Sequence, residues 1–289
     1  MIRSMTGFGR AEGVVKDRKV TVEVRALNSK QLDVFLKLPG MYREHETELR
    51  QWVSERIVRG KAEVYVTCEQ LHTAKRNSFD RELVKAYYTE LKEIADGLGA
   101  TGTDLLAQAL RMPDVTRVPT EEVDEAEWNG VQAFVSQAWD AFETFRSDEG
   151  AKLAEELGMR VGNIERFLKE VAAMDDGRSD RTRERLRAKL AELQVEVAQD
   201  RFEQELIYYL EKLDVTEEKV RLQAHCTYFM ETMGGSDGQQ GRKLGFIGQE
   251  MGREINTLGS KANDAAIQRV VVRMKDELEK VKEQVLNVL

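Results

Sequence analysis

The sequence predicts an α+β fold, with a small mixed N-terminal domain followed by a mainly α part built from long helices. Alternating apolar and polar residues, which are typical of strands, occur only in the first 70 residues. From Phe79 onward apolar residues recur at helical spacing, and the chain of 289 residues contains only three prolines to interrupt helices. We therefore place an N-terminal domain at 1–155, connecting long helices at 156–206 and a C-terminal helical domain at 207–289, a length that allows two cores.

The N-terminal strands are predicted from residues that alternate between two faces. Val20, Val22 and Val24 lie on one face of a strand, and the following residues 28–31 can turn. After Pro39, apolar residues at helical spacing predict a helix that ends at Arg59-Gly60. The predicted order is β-β-β-α-β, with strands near 2–10, 20–27, 32–38 and 62–68 and a helix over 41–58.

The remaining chain is predicted to be helical. Asp175-Asp176-Gly177 breaks one long helix, and Gly234–Gly238 forms a hinge between two others. The predicted helices span 77–97, 103–111, 121–175, 179–211, 215–233, 240–258 and 262–288.

The last helix carries an apolar stripe with heptad-like spacing. Its members are Ile267, Val270, Val271, Met274, Leu278, Val281 and Val285. Core packing within the chain and a seam between subunits are both consistent with this stripe.

Composition limits the possible classes of protein. No run of about 18 apolar residues is present, and the N-terminus has no apolar segment of signal-peptide length. We therefore expect no membrane association and a cytoplasmic location.

The net charge of −8 argues against a general nucleic-acid binder, but the charge is uneven. Residues 1–79 carry 15 Lys and Arg against 10 Asp and Glu, residues 121–160 carry 3 against 11, and residues 236–275 carry 7 against 4. If the two basic regions face one cleft, they can hold a polyanion. Solvated basic faces are an equally good interpretation.

Metal and nucleotide motifs are absent from the sequence. The two cysteines and three histidines have no zinc spacing, and no dinucleotide fingerprint or phosphate loop is present. A bound metal would be held by carboxylates and water, which favours Mg²⁺ or Mn²⁺.

Two C-terminal helices carry the candidate site. Glu218 and His225 are seven residues apart and share a helix face, and so do Glu250 and Glu254, which are four apart. Because the glycine hinge allows the two helices to fold back on each other, we predict these four residues as ligands of a divalent ion.

The predicted catalytic residues are His225, Glu250, Arg253, Glu254 and Lys261. A metal would activate water and polarise a phosphoryl oxygen. His225 would act as general acid or base, and Arg253 or Lys261 would neutralise developing charge. An ordinary salt-bridge network and a packed histidine are the simpler interpretations of these residues.

Glycines interrupt the second of these helices at 245, 248 and 252, each at a cost of about 1 kcal/mol relative to alanine. They predict the close approach of a nucleic acid or of another helix.

RNA phosphate or sugar contacts are predicted for polar and basic residues near these segments. They are Arg3, Arg10, Arg25, Asn28, Lys30, Arg221, Arg242, Lys243 and Asn256.

Several motifs resemble those of the YicC/YloC family. They are Met1–Arg10, Val24–Lys30, Arg59–Lys61, Glu203–Leu206, Asp214–Glu218, Ala224-His225 and, most distinctively, Gln249–Lys261. The resemblance implies a YicC-like N-terminal domain joined to a helical C-terminal domain. It also implies endoribonuclease activity with Mn²⁺ or Mg²⁺ and a homo-oligomeric, hexameric assembly.

Two other functions remain open. A non-catalytic adaptor would use the same basic surface to present RNA to another nuclease, and a structural helical oligomer would bind no RNA. Cleavage of pure RNA distinguishes the first from a nuclease, and salt-sensitive RNA binding distinguishes the adaptor from the structural protein.

Overall fold

The computed structural model confirms the α+β class, with a small N-terminal sheet followed by long helices. It describes residues 2–29, 31–57, 59–71, 78–100, 104–117, 123–192, 198–235 and 240–289.

The N-terminal domain contains a four-stranded sheet. Its strands are β1 (Gly7–Val15), β2 (Arg18–Leu27), β3 (Asp33–Lys37) and β4 (Lys61–Gln70). The strand order is β1-β2-β4-β3, and β3 is parallel to β4. A 3₁₀ helix (Gly40–His45) and α1 (Glu46–Arg56) form the crossover that this parallel pair requires.

The predicted order β-β-β-α-β is confirmed by the observed elements. Val20, Val22 and Val24 are fully buried on one face of β2, as the alternation predicted. The first strand was placed too early. It begins at Gly7, because residues 3–5 instead bond to the other end of the chain.

Eight further helices occur in the part of the chain that the structure describes. They are α2 (Arg81–Leu98), α3 (Leu105–Ala109), α4 (Glu125–Asp175), α5 (Arg178–Glu192), α6 (Gln199–Leu213), α7 (Thr216–Gly234), α8 (Gln240–Ala262) and α9 (Ala265–Val285). None of the described helices has a stretch long and apolar enough to cross a membrane.

Three details differ from the sequence-based prediction. The helix predicted over 179–211 is two helices, α5 and α6. The helix predicted from Asn77 begins at Arg81, because the Asp80 side chain caps its first backbone N–H groups. A two-residue pairing of Ser78–Phe79 (β5) with Thr116–Arg117 (β6) occurs where no strand was predicted.

The long helix α4 belongs to both hydrophobic cores. Its N-terminal half, including Val131 and Phe142, packs on β1 and β2, and its C-terminal half, including Leu157 and Ile164, packs on α7 and α9. The apolar stripe of α9 is buried in this second core, which confirms core packing as its role in the single chain.

Small residues bring β1 and α4 close together. Cβ atoms at Gly7 and Gly13 would clash with the Phe142 and Phe134 rings, and one at Gly9 would meet the carbonyl oxygen of Ala138. The N-terminal glycines therefore serve the packing of strand on helix.

The glycines of α8 face α9. A Cβ at Gly252 would lie 3.3 Å from Leu278, and one at Gly248 would lie 3.9 Å from Lys282. The close approach of another helix is thus observed at Gly252, whereas a Cβ at Gly245 or Gly248 would make only ordinary contact with α9.

The two ends of the chain are bound to each other. The Met5 N–H donates to the carbonyl of Asn287 over 2.8 Å, and the Leu289 N–H donates to that of Arg3 over 2.9 Å. The Gly241 N–H also donates to the carbonyl of Leu289, which fixes the start of α8 beside both termini.

The close approach at β1 predicts a destabilising effect of Gly9→Ala. Because the new Cβ would meet the backbone of α4, we expect the free energy of unfolding to fall by about 1–3 kcal/mol. Gly162→Ala is the matched control, since no atom lies within 4 Å of its added Cβ, and it should stabilise α4 by up to about 1 kcal/mol. Urea unfolding measures both, and equal effects would contradict the packing described.

Candidate functional site

Helices α7 and α8 form the antiparallel hairpin that the sequence predicted. Glu218 in the first turn of α7 pairs with Lys261 in the last turn of α8, with 2.7 Å between Nζ and Oε1. We call the six residues on these helices that were predicted to bind metal or to act in catalysis the hairpin site. They are Glu218, His225, Glu250, Arg253, Glu254 and Lys261.

The Glu218–Lys261 pair has an unusual environment. The Glu218 side chain is only 5% exposed, and its second carboxylate oxygen, Oε2, is buried without a hydrogen-bond partner among the described residues. The hydrogen bond to Glu218 raises the pKa of Lys261 above its ordinary value. Lys261 is therefore a fixed cation at neutral pH and not a proton acceptor.

The corner between α4 and α5 holds this end of the hairpin. Arg178 Nε pairs with Asp175 over 2.7 Å, and Arg178 Nη1 donates to the carbonyl of Ala262 over 2.6 Å. Lys219 also binds Asp175, over 2.6 Å. Sequence reasoning missed Asp175 and Arg178, because nothing in the sequence indicated that this corner contacts the end of α8.

Of the three predicted residues in the middle of α8, two pair with each other and the third has no partner among the described residues. Arg253 Nη1 lies 2.9 Å from Glu250 Oε1, which is the simple local ion pair that the sequence left open. Glu254 is half-buried and makes no hydrogen bond or ion pair with any described residue.

His225 lies at the same level of the hairpin as Glu254. Each is seven residues from the Glu218–Lys261 pair, about 10 Å along its own helix. The imidazole is half-buried and has no hydrogen-bond partner within the described segments. Its nitrogen atoms are thus not committed to a structural contact.

The residues of one chain do not fit a preformed metal site. Across the described ranges, no group of three or more His, Cys, Asp and Glu side chains is arranged to hold an ion. Glu218 and Glu250 are already paired with Lys261 and Arg253. The four-ligand assignment therefore stays a prediction.

The basic N-terminal strands lie against the acidic part of α4. Lys16 pairs with Asp124 over 2.5 Å, Arg18 with the buried Glu127, and Arg3 with Glu143 over 2.9 Å. The excess positive charge of residues 1–79 is thus partly neutralised within the chain.

The other predicted RNA contacts on the strands also have protein partners. Arg10 pairs with Glu12 over 2.8 Å, and Arg25 pairs with Glu23 over 2.7 Å. Asn28 donates from Nδ2 to the carbonyl of Leu286 over 2.7 Å. Lys30 lies outside the described residues.

The residues of α7 and α8 that were predicted to contact RNA divide between the two ends of the hairpin. Arg221 pairs with Glu217 near the Lys261 end, whereas Arg242, which lies over the Phe246 ring, and Lys243 are exposed at the other end of α8. Asn256 is exposed between them.

Arg3 lies far from Lys261. Gly241 is next to the paired chain termini, and Lys261 lies 20 residues further along α8, about 30 Å away. The structure therefore places Arg3 near Arg242 and Lys243 and away from Lys261.

Comparison with known proteins identifies relatives over the full length. A family model described as endoribonuclease YicC-like, N-terminal region, matches residues 2–155, and one described as endoribonuclease YicC-like, C-terminal, matches residues 171–289. The probable endoribonuclease YicC of Clostridioides difficile (strain 630) is 32% identical over 293 residues, which cover 100% of both chains. The protein of the same name from Haemophilus influenzae is 32% identical over 289 residues, which cover 99% of each chain.

The pairing of Glu218 with Lys261 predicts a specific loss of stability in Lys261→Met. Because Glu218 would be left buried without its cation, we expect the free energy of unfolding to fall by about 1–3 kcal/mol. Replacing both residues by methionine should restore most of it, since the buried charge is then gone.

Thermal or urea unfolding near pH 7 measures these effects. Lys85→Met serves as the control, because the Lys85–Glu82 pair is exposed at both ends and should contribute less than about 0.5 kcal/mol. The pair raises the pKa of Lys261, so its stabilisation is complete at neutral pH and is lost only as the pH rises beyond the ordinary lysine value of 10.5. A double variant that is no more stable than Lys261→Met would show that the two residues act separately.

Proposed function

We propose that this chain, which belongs to the YicC-like endoribonuclease family, cleaves phosphodiester bonds within RNA, whether single-stranded or structured. The observation that carries the proposal is the match of both family regions in order, over residues 2–155 and 171–289. Two relatives named probable endoribonuclease YicC match the chain from end to end at 32% identity, which supports the same activity.

The hairpin site is our proposed location for cleavage. Lys261 is held as a cation by Glu218, and Arg253 adds a second positive charge on the same helix. Fixed cations of this kind stabilise the charge that develops on a phosphorane. His225, whose ring makes no hydrogen bond with the described chain, is available to transfer a proton.

Dependence on Mn²⁺ or Mg²⁺ is part of the proposal, and it rests on the family resemblance alone. Because the described residues of one chain do not fit a metal site, the roles assigned to Lys261, Arg253 and His225 do not rely on an ion. The assay below measures the dependence directly.

A non-catalytic RNA adaptor is the second candidate function. The observation that favours it is the engagement of Glu218 and Glu250 with lysine and arginine, which leaves two of the four predicted metal ligands neutralised. Such a protein would bind RNA through the same cations without cutting it.

We further propose that the chain acts as a homo-oligomer, as a hexamer in the form that the resemblance implies. Helix α2 supports assembly, because it has no buried residue although Ile94 and Leu98 lie on it, 53% and 79% exposed. Sedimentation of the full chain should give a mass that is a multiple of the single-chain value, and a monomer at micromolar concentration would contradict this.

Internal cleavage of RNA is the expected activity. Purified protein is incubated with end-labelled single-stranded RNA in the presence of Mn²⁺, Mg²⁺ or EDTA. We expect internal cuts with a divalent ion and none with EDTA. Lys261→Met should lose about 100-fold or more in rate, since it removes a cation placed at the reacting phosphate. The double variant Glu250→Gln with Glu254→Gln should lose a similar factor, since it removes two of the predicted metal ligands.

Glu279→Gln is the matched control, since it makes the same change on the exposed face of α9 and should cut normally. Cuts that persist in folded hairpin-site variants would support the nuclease activity but contradict its proposed location at the hairpin site. RNA binding without any cutting would favour the adaptor.

A further inference from the structure

Helix α5 carries a row of arginines that the hairpin site does not include. Arg178, Arg181 and Arg185 are three and then four residues apart, so they share one face of the helix. Together with Thr182, Asn263 and Asp264 they line a cavity of about 200 Å³ between α5 and the turn that joins α8 to α9. We call this the arginine cavity.

The cations of the arginine cavity differ from the other arginines of α5. Arg183 and Arg187, on another face, approach Glu203 of α6 within 3.7 and 2.5 Å, so their charges have a carboxylate partner. Arg185 makes no ion pair or hydrogen bond with any described residue. Arg185 is therefore a cation of the cavity whose charge no described carboxylate compensates.

The remaining two arginines have different roles. Arg178 is structural, because its guanidinium binds Asp175 and the carbonyls of Leu213 and Ala262. Arg181 donates to only two carbonyls, those of Met174 over 2.9 Å and Asp176 over 3.0 Å. A guanidinium has five N–H donors, so Arg181 retains most of its capacity to bind an anion.

Thr182 adds a hydroxyl donor to the arginine cavity. It is 8% exposed and lines the cavity, yet its hydroxyl makes no hydrogen bond with any described residue. Other helical threonines of this chain donate to the carbonyl four residues earlier; they are Thr89, Thr144, Thr227 and Thr257. The Thr182 hydroxyl is therefore available to donate a hydrogen bond to a group that enters the cavity.

Asp264 is the acidic residue that lines the cavity, and its carboxylate is already bound to backbone N–H groups. The Asp264 carboxylate accepts hydrogen bonds from the backbone N–H groups of Ala266 and Ile267 and caps α9. Its charge is therefore compensated by the first turn of that helix.

The arginine cavity adjoins the hairpin site. Leu213 and Ala262 line the cavity. Ala262 directly follows Lys261 in the chain, and Leu213 is five residues before Glu218, at the end of the helix that leads into α7. An anion held in the cavity would thus lie close to the Lys261 end of the hairpin.

We propose that the arginine cavity binds one phosphodiester group of the RNA and positions the strand beside Lys261. Its volume suits a single phosphate better than a whole nucleotide, because ligand pockets usually exceed about 300 Å³. Arginine forks match the geometry of phosphate oxygens, and a threonine hydroxyl donates to a third oxygen. This inference rests on the proposed function, because it takes RNA as the substrate.

Binding of a labelled single-stranded RNA oligonucleotide to the full-length protein tests the inference, with anisotropy measured at several salt concentrations. The double variant Arg181→Gln with Arg185→Gln should raise Kd about tenfold or more. It should also reduce the slope of log Kd against log salt by about 0.7, since the loss of one phosphate contact on a single strand removes about that much. The double variant Arg183→Gln with Arg187→Gln removes the same charge from the same helix and should change Kd less than about threefold, because surface pairs contribute little.

Two milder variants control for damage to the fold. Arg185→Gln alone disturbs no described contact and should still raise Kd about threefold or more. Thr182→Val keeps the shape of the side chain, removes only the hydroxyl and should weaken binding in the same direction. Cleavage by the Arg183→Gln, Arg187→Gln control should remain at the wild-type rate, because neither residue lines the arginine cavity or belongs to the hairpin site.

Two results would overturn the inference and leave the proposed function intact. Equal Kd values for the two double variants, with wild-type protein that binds and cuts RNA, would exclude the arginine cavity and leave the proposed function intact. Titration calorimetry that shows inorganic phosphate binding through Arg181 and Arg185, without any effect of the variants on RNA, would assign the cavity to a free anion. Wild-type protein that neither binds nor cuts RNA would instead contradict the proposed function, and the inference with it.

Discussion

The shared helix α4 determines how the rest of the molecule is arranged. It runs for 51 residues without a break, about 76 Å, and one end lies under the sheet while the other lies among the C-terminal helices. A continuous helix cannot bend sharply without a proline or an inserted group, and α4 contains no proline. The sheet and the helical hairpin are therefore held at a fixed separation, and the glycines of β1 allow the strand to pack directly on the helix.

The position of α4 also determines where charged residues are paired. The acidic first half of α4 lies against the basic strands, so Asp124, Glu127 and Glu143 neutralise Lys16, Arg18 and Arg3. The uneven charge along the sequence is thus partly a set of internal pairs and not two free basic surfaces. Uncompensated positive charge instead lies beside the Lys261 end of the hairpin, at Arg185 on α5. This distribution allows an acidic protein to present a local site for a polyanion.

Local patterns were sufficient to predict most elements, and they failed where two distant segments decide the outcome. Alternation identified β2 and β4 because one face of each strand is buried. The helix predicted over 179–211 proved to be α5 and α6, since the same apolar spacing fits one long helix or two short ones. At the candidate site, the hairpin and the seven-residue spacing of Glu218 and His225 were predictable. The pairing of Glu218 with Lys261 was not predictable, because it joins two helices and depends on how α7 and α8 pack.

The sequence by itself determined the α+β class, the family and the order of strands and helices, because these depend on periodicity and on motifs that are local in the chain. Only the tertiary structure decided that Gly252 of α8 packs closely on α9, that Arg178 holds the end of α8, and that Arg181 and Arg185 line one cavity. Each of these facts joins residues from separate helices. Their contact depends on how α4, α5, α8 and α9 pack, and one-dimensional spacing does not contain that information.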